Sequence, residues 1–262
     1  MEELSKPQPP VEPPPPFAAL RDIPNNAPWR WLALAAKDLR QHTGASMFYG
    51  GCYMLCGWAL AAAFIHAYSL FAALSSGFML IGPVLSVGLY DLNRRADAGE
   101  SLELRPTLTA WKRNAGNLAT LAAIIAVVLM IWARASVVIF ALFYEGGLPT
   151  LAEVVYQAVT FTQPEFTLIY FGVGAFFAVF IFAIAVIGVP LMLDRQTDAI
   201  TAGITSIAAV TRNPGAFALW AAIIGAFFIL SLATLFVGLV VAIPILGHGT
   251  WHAYREVLER PT

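Results

Sequence analysis

The alternation of long apolar runs with short polar stretches dominates this chain. Four runs are unambiguous, at 45–66, 70–92, 118–143 and 166–193. Each supplies about 20 or more mainly apolar residues, enough to cross roughly 30 Å of hydrocarbon as a helix. A fifth run, 216–246, would be about 46 Å long as one straight helix, too long for a bilayer without steep tilt. Two shorter spans, near 218–232 and 235–254, fit better. They require a tight turn near Ala233 and Thr234, where no strong turn residue stands.

Charge supports the split. With six spans and an internal N-terminus, all of the 15 Lys and Arg residues except Arg134 fall on inner segments. The outer loops then carry Glu145, Glu153 and Glu165. This satisfies the positive-inside rule, whereas five spans would place Arg255 and Arg260 outside. Both termini are expected in the cytosol, and the membrane is expected to be the bacterial cytoplasmic (inner) membrane.

A threefold self-similarity accompanies the runs. RNAGNLATLAAII begins at Arg113 and RNPGAFALWAAII at Arg212, sharing R-N-x-G-x-x-A-x-x-A-A-I-I, and RQHTGASMFYGG at Arg40 is a weaker echo. Each enters an odd-numbered span from the inner side. The even spans each carry a proline (Pro83, Pro190, Pro244) before a polar inner end. The expected fold is therefore all-α, with six transmembrane helices as three parallel-repeated hairpins. A cytoplasmic amphipathic helix is expected at the interface before each hairpin. These segments are 29–41, with Trp29, Trp31, Leu32 and Leu39 among Arg30, Lys37 and Arg40; 107–114, with Trp111 beside Lys112 and Arg113; and 197–210, with Ile200, Ile204 and Ile207 at helical spacing. The outer stretch TLAEVVYQAV, with Thr150 and Glu153 as a capping box, reads as a short external helix.

Composition agrees with a membrane domain. The chain has 262 residues, a mean hydropathy of +0.72 and 12% charged residues, against about 25% in soluble domains. Residues 1–6 are acidic and polar, so no cleavable signal peptide is expected. PQPPVEPPPP at 7–16 predicts an extended, disordered tail. The domains are thus a proline-rich cytoplasmic tail at 1–28 and a membrane domain at 29–258. A net charge of -1 gives no push toward nucleic acid. The expected partners are the lipid bilayer and a membrane-protein partner.

Candidate chemistry is sparse. Arg134 lies inside the third span, where a charge costs several kcal/mol unless paired or wetted. It reads as a ligand contact in a polar cavity, or as an arginine reaching the outer interface or pairing with Glu145 or Glu153. Asp91 (with Arg94 and Arg95) and Asp194 (with Arg195) end the second and fourth spans. They read as helix-end ion pairs, or as carboxylates sharing an inner vestibule. His248 and His252 share a helix face, and with His42 or Asp194 they could reach a metal or haem. The bare pair lacks a third ligand fixed by sequence, so packing histidines are the plainer reading and no metal or cofactor is expected. His66 would sit at the outer face. Cys52 and Cys56, one turn apart, read as packing residues. There is no phosphate-binding glycine loop, dinucleotide fingerprint or nucleophile elbow, so no enzyme is expected.

GFMLIGPVLSVGLYDLNRRADAGE, PLMLDRQTDAITAGITSIAAVTRNPGAFALW and PILGHGTWHAYREVL resemble the bacterial family called predicted integral membrane protein, domain of unknown function 2189, over about 31–258. The resemblance implies no established activity. Some members carry the label putative cytochrome c oxidase subunit I, but a haem–copper catalytic subunit needs about twelve spans and six ligand histidines, and this chain has four histidines. The first expectation is a non-catalytic scaffold or accessory subunit, including one beside a respiratory complex. The alternative is a transporter or channel-like carrier, and a lesser alternative is a haem- or metal-binding membrane protein.

Overall fold

The structure is a computed structural model and describes residues 20–66, 86–143, 156 and 160–259. The tail at 1–19, Gly77, Gly82, Pro83, Glu145, Glu153, the expected external helix (Tyr156 apart) and most of the run at 70–92 lie outside the described residues. Among the described residues the chain is all-helical, and the one β-type contact is an isolated bridge between Leu20 and Leu258.

Helix α1 (Ala27–Gln41) starts on Pro28 and stops at His42. Proline is suited to a first helical turn because its missing N–H has no helical partner there. Helix α2 (Thr43–His66) follows at once. Residues 86–97 form α3, and a one-turn α4 (Leu104–Thr107) leads through a 3-10 segment (Ala110–Asn114) into α5 (Ala115–Phe143). Then come α6 (Pro164–Ala185), α7 (Gly188–Arg195), α8 (Ala199–Arg212), α9 (Pro214–Ala233) and α10 (Leu239–Val257). The stretches Leu104–Phe143, Pro164–Arg195 and Pro214–Ala233 are long and apolar enough to cross a bilayer.

Two expectations change in detail. The segment at 107–114 is not an amphipathic α-helix but a single turn joined to a 3-10 stretch, with Pro106, Thr107 and Thr109 to shorten it. The segment at 29–41 is a helix, but Trp31 and Ala35 are fully buried against protein while Trp29 and Leu34 stay exposed. Its apolar stripe meets α10, not headgroups alone. In α8 the buried face is made of small residues (Ala199, Ala202, Gly203, Ser206, Ala209), and Ile200 and Ile204 point outward.

The fifth run divides as its length demanded. Helix α9 ends at Ala233, and the turn holds Leu235 (φ 52°) and Phe236 (φ 69°) in left-handed conformation. Two consecutive non-glycine residues there cost about 1–2 kcal/mol each, which is why the sequence shows no turn signature. Tertiary contacts hold the turn. The Trp58 indole N–H donates to the Leu235 carbonyl (2.7 Å), and the Phe236 ring lies against Gly57, where a Cβ would come within 2.7 Å of it.

The prolines act through neighbouring helices. Pro190 cannot donate a helical hydrogen bond, and the helix breaks between α6 and α7. The Ile187 N–H at the break donates to the Ser206 hydroxyl of α8 (3.1 Å). Pro244 sits inside α10 and releases the carbonyl of Val240, four residues earlier. Gly50 of α2 faces that carbonyl so closely that a Cβ would stand 2.2 Å from the oxygen. Small residues permit such backbone contact between membrane helices.

Packing is densest toward the end that the charge pattern assigns to the cytosol. There Trp31 meets Trp220 edge-on (5.5 Å between centroids) and Phe217 (6.0 Å), and Trp251 meets Tyr254 (5.2 Å). Helix α1 runs along α10, and α8 along α6 and α7. Leu104 of α4 packs on Tyr49, Leu89 and Leu92.

Candidate functional site

Most polar residues at this densely packed end are used against one another. Asp91, on α3, is 1% exposed and receives the Arg94 Nε–H on one carboxylate oxygen and the Arg95 Nε–H on the other, each at 2.7 Å. The spacings i,i+3 and i,i+4 put all three on one helix face. Glu100 caps the same arginines at 3.1 and 3.0 Å, and the Arg94 hydrogen bond holds its carboxyl below the usual carboxylate range.

Asp194 is not joined to Asp91. Its carboxylate accepts from the Tyr254 hydroxyl (2.5 Å) and faces Arg255 (3.6 Å). Arg255 also pairs with Asp97 (3.1 Å), which accepts from the Trp251 indole as well (3.2 Å). Of the two readings of Asp91 and Asp194, the helix-end ion pairs are the ones present: Asp91 pairs within α3, and Asp97 and Asp194 share Arg255 in a closed knot. Asp91 is held within its own helix because two guanidinium groups already occupy both its oxygens. Arg195 donates to the Glu259 carbonyl, and its Nε is buried without a partner among the described residues.

The two histidines do not converge on one point. The His248 side chain is 0% exposed, with Nε2 2.9 Å from the Ser46 hydroxyl and Nδ1 within 2.8–3.0 Å of the Asn93 amide. A neutral imidazole offers one donor and one acceptor, so both ring nitrogens are in use. His252 contacts the Asp38 carboxylate through Nε2 (2.6 Å). His42 lies at the α1–α2 junction and donates its backbone N–H to Asp38. Among the described residues no three His, Cys, Asp or Glu side chains are grouped to hold a metal ion. The order Ser46–His248–Asn93 is that of a nucleophile, its base and an orienting group. Ser46 and His248 are enclosed completely, however, and no described cavity includes Ser46. Chemically the trio is a three-helix tie.

Arg134 stands on the exposed side of α5, away from the walls of every described cavity. Cys52 and Cys56 are free and half-buried on α2.

Sequence reasoning missed Ser46, Asn93, Asp97, Asp38 and Arg255. The available signal was their polarity within or beside apolar runs. Two asparagines from the repeat motif were visible as a pattern but not as a function. Asn114 donates to the carbonyls of Met192 and Thr197 (3.0 and 2.9 Å). Asn213 donates to the Arg21 carbonyl (3.1 Å) and accepts from the Ile23 N–H (2.9 Å), while Arg212 grips Asp22 at 2.7 and 2.8 Å. Each Asn therefore fastens the stretch leading into another amphipathic helix.

Residues 70–194 match the sequence pattern of a family described as predicted integral membrane protein (DUF2189). The match covers just under half of the chain, which over this stretch is similar to that family. The DUF2189 match is shorter than the 31–258 suggested by the quoted segments; it takes in Asp91, Arg94, Arg95, Arg134 and Asp194 and ends before Arg195, His248 and His252. With its apolar helices, the chain is an integral membrane protein. No curated protein and no solved structure matches it.

Proposed function

We propose that this protein is a non-catalytic scaffold or accessory subunit of the bacterial inner membrane, with six spans arranged as three hairpins and both termini in the cytosol. The observation that carries this reading is the mutual satisfaction of the inner polar groups. Asp91, Asp194, His248 and His252 each bond to neighbouring protein groups rather than to a solvent-filled path. A transport route would keep such groups facing a wet cavity. Exposed Arg134 fits a side chain that reaches toward the outer headgroups, not one lining a route.

The hairpin arrangement has its own support. The element that opens each proposed unit packs on the return helix of the preceding one: α4 on α3, α8 on α6 and α7, and α1 on α10. This is the order expected of a closed pseudo-threefold ring. The charge asymmetry supports internal termini.

Chemical cross-linking in native membranes, followed by purification in mild detergent, tests the role. The expected result is a defined, stoichiometric membrane-protein complex, together with proteoliposomes that pass no more ions or small solutes than protein-free vesicles. Recovery of a lone monomer, or a flux abolished by Arg134→Ala, overturns the reading. A reporter fused after Thr262 that works only outside the cytosol overturns the topology.

A further inference from the structure

A cleft with a volume of about 250 Å³ runs between α3, α5, α6, α7, α9 and α10. A second space of about 180 Å³ shares Ser86, Tyr90, Ile224 and Thr250 with it. Leu121, Ile125 and Phe182 supply much of the apolar wall. The described walls of both spaces carry no Asp, Glu, Lys, Arg or His. An ionised ligand would lose its hydration there with no countercharge. The polar groups are hydroxyls gathered where the two spaces meet: Ser86 beside Tyr53 (2.7 Å), the Tyr90 hydroxyl, and Thr250, which receives the Trp220 indole (3.3 Å). A mostly apolar hollow with a few convergent polar groups is the usual form of a small-molecule site.

We propose that this cleft binds an uncharged amphipath, a linear apolar chain ending in a hydroxyl, drawn from the bilayer. Apolar cavities of about 150 Å³ accept the six carbons of benzene, so the larger space takes a chain of about ten carbons. The chain lies along Leu121, Ile125 and Phe182, and its head exchanges hydrogen bonds with the Tyr90 and Thr250 hydroxyls. Hydroxyls both donate and accept, so an alcohol head is matched on either count. This site is independent of the scaffold reading; its occupant requires neither transport nor catalysis.

The test is photolabelling of the full chain in lipid nanodiscs with a ten-carbon alcohol bearing a diazirine at its tail. The expected label falls on Leu121, Ile125 and Phe182 and is suppressed by excess 1-decanol but not by decanoate. Ala185→Phe, which fills the cleft, is expected to lose the label while melting like the wild type. Should that variant fail to fold, Thr250→Val serves. It keeps the volume and is expected to erase the advantage of 1-decanol over decane as competitor, about tenfold for one hydrogen bond. Label spread equally over the exposed Phe176, Val179 and Ile229 overturns the proposal. So does competition by decanoate as strong as by decanol, or labelling unchanged in a folded Ala185→Phe protein.

Discussion

His248 shows what a buried polar residue does in this bundle. Its two ring nitrogens join Ser46 on α2 to Asn93 on α3, so removing the ring strands the enclosed Ser46 hydroxyl and leaves the buried Asn93 amide only its bond to the Leu89 carbonyl. His248→Phe is expected to cost about 2–4 kcal/mol, since each orphaned group costs about 1–3 kcal/mol. Denaturation in detergent, followed by tryptophan fluorescence, measures it, and adding Ser46→Ala is expected to recover part of the loss. At the exposed rim of the densely packed end, the carboxyls of Asp22, Glu100 and Asp198 are held below their ordinary range. The causes are the Arg212 hydrogen bond for Asp22, the Arg94 hydrogen bond for Glu100, and backbone hydrogen bonding at Thr201 for Asp198, the N-cap of α8. A depressed folded-state value gives stability that is full above the unfolded carboxylate range and is lost as pH falls through the folded value. Thermal midpoints are therefore expected to drop between about pH 5 and pH 2, less steeply in a D22N/D198N double variant. The sequence showed these carboxylates as charges near basic residues. It did not show that Asp97, rather than Asp91, meets Asp194 across Arg255, because an ion pair depends on where helix ends come to rest.

Elements here are set by local pattern and adjusted by contact. Run length alone demanded a break in 216–246, and the break fell at Ala233, yet its residues are poor turn formers. Leu235 is 75% exposed and left-handed, so its side chain contributes little packing to offset its backbone strain. Leu235→Gly is expected to stabilise the protein by about 1 kcal/mol, read as a higher thermal midpoint in detergent; an unchanged or lower midpoint would refute the strain argument. Gly50 is the opposite case. A side chain there collides with the Val240 backbone, whose carbonyl Pro244 leaves without its helical donor. Gly50→Val is expected to push α2 off α10 and cost at least about 1–3 kcal/mol, seen as faster proteolysis of the 234–238 turn. The amphipathic stripe of α1 was legible in Trp31, Leu32 and Leu39. That α10 rather than lipid would cover Trp31 was not, because a stripe states what must be buried and not by what.

At the scale of the whole molecule, the repeat motif acquires a mechanical meaning. Asn114 and Asn213 occupy matching positions, and each clasps a segment preceding a different amphipathic helix, at 192–197 and 21–23. Asn213→Ala is expected to raise amide exchange at Ile23 and in α1 without altering helix content, and unchanged exchange would mean that the clasp carries no load. The sequence by itself determined the apolar surroundings of this protein, the helical character of its elements and the gathering of most of its charge into the stretches between apolar runs. Those properties are sums over neighbouring residues: apolar length against bilayer thickness, and Lys and Arg counts per loop. The tertiary structure alone decided which polar groups meet. His248 finds Ser46 across 202 positions, His252 finds Asp38 across 214, and Arg212 finds Asp22 across 190. Hydrogen bonds act over about 3 Å, so their pairing is fixed only when packed helices bring distant stretches to that distance.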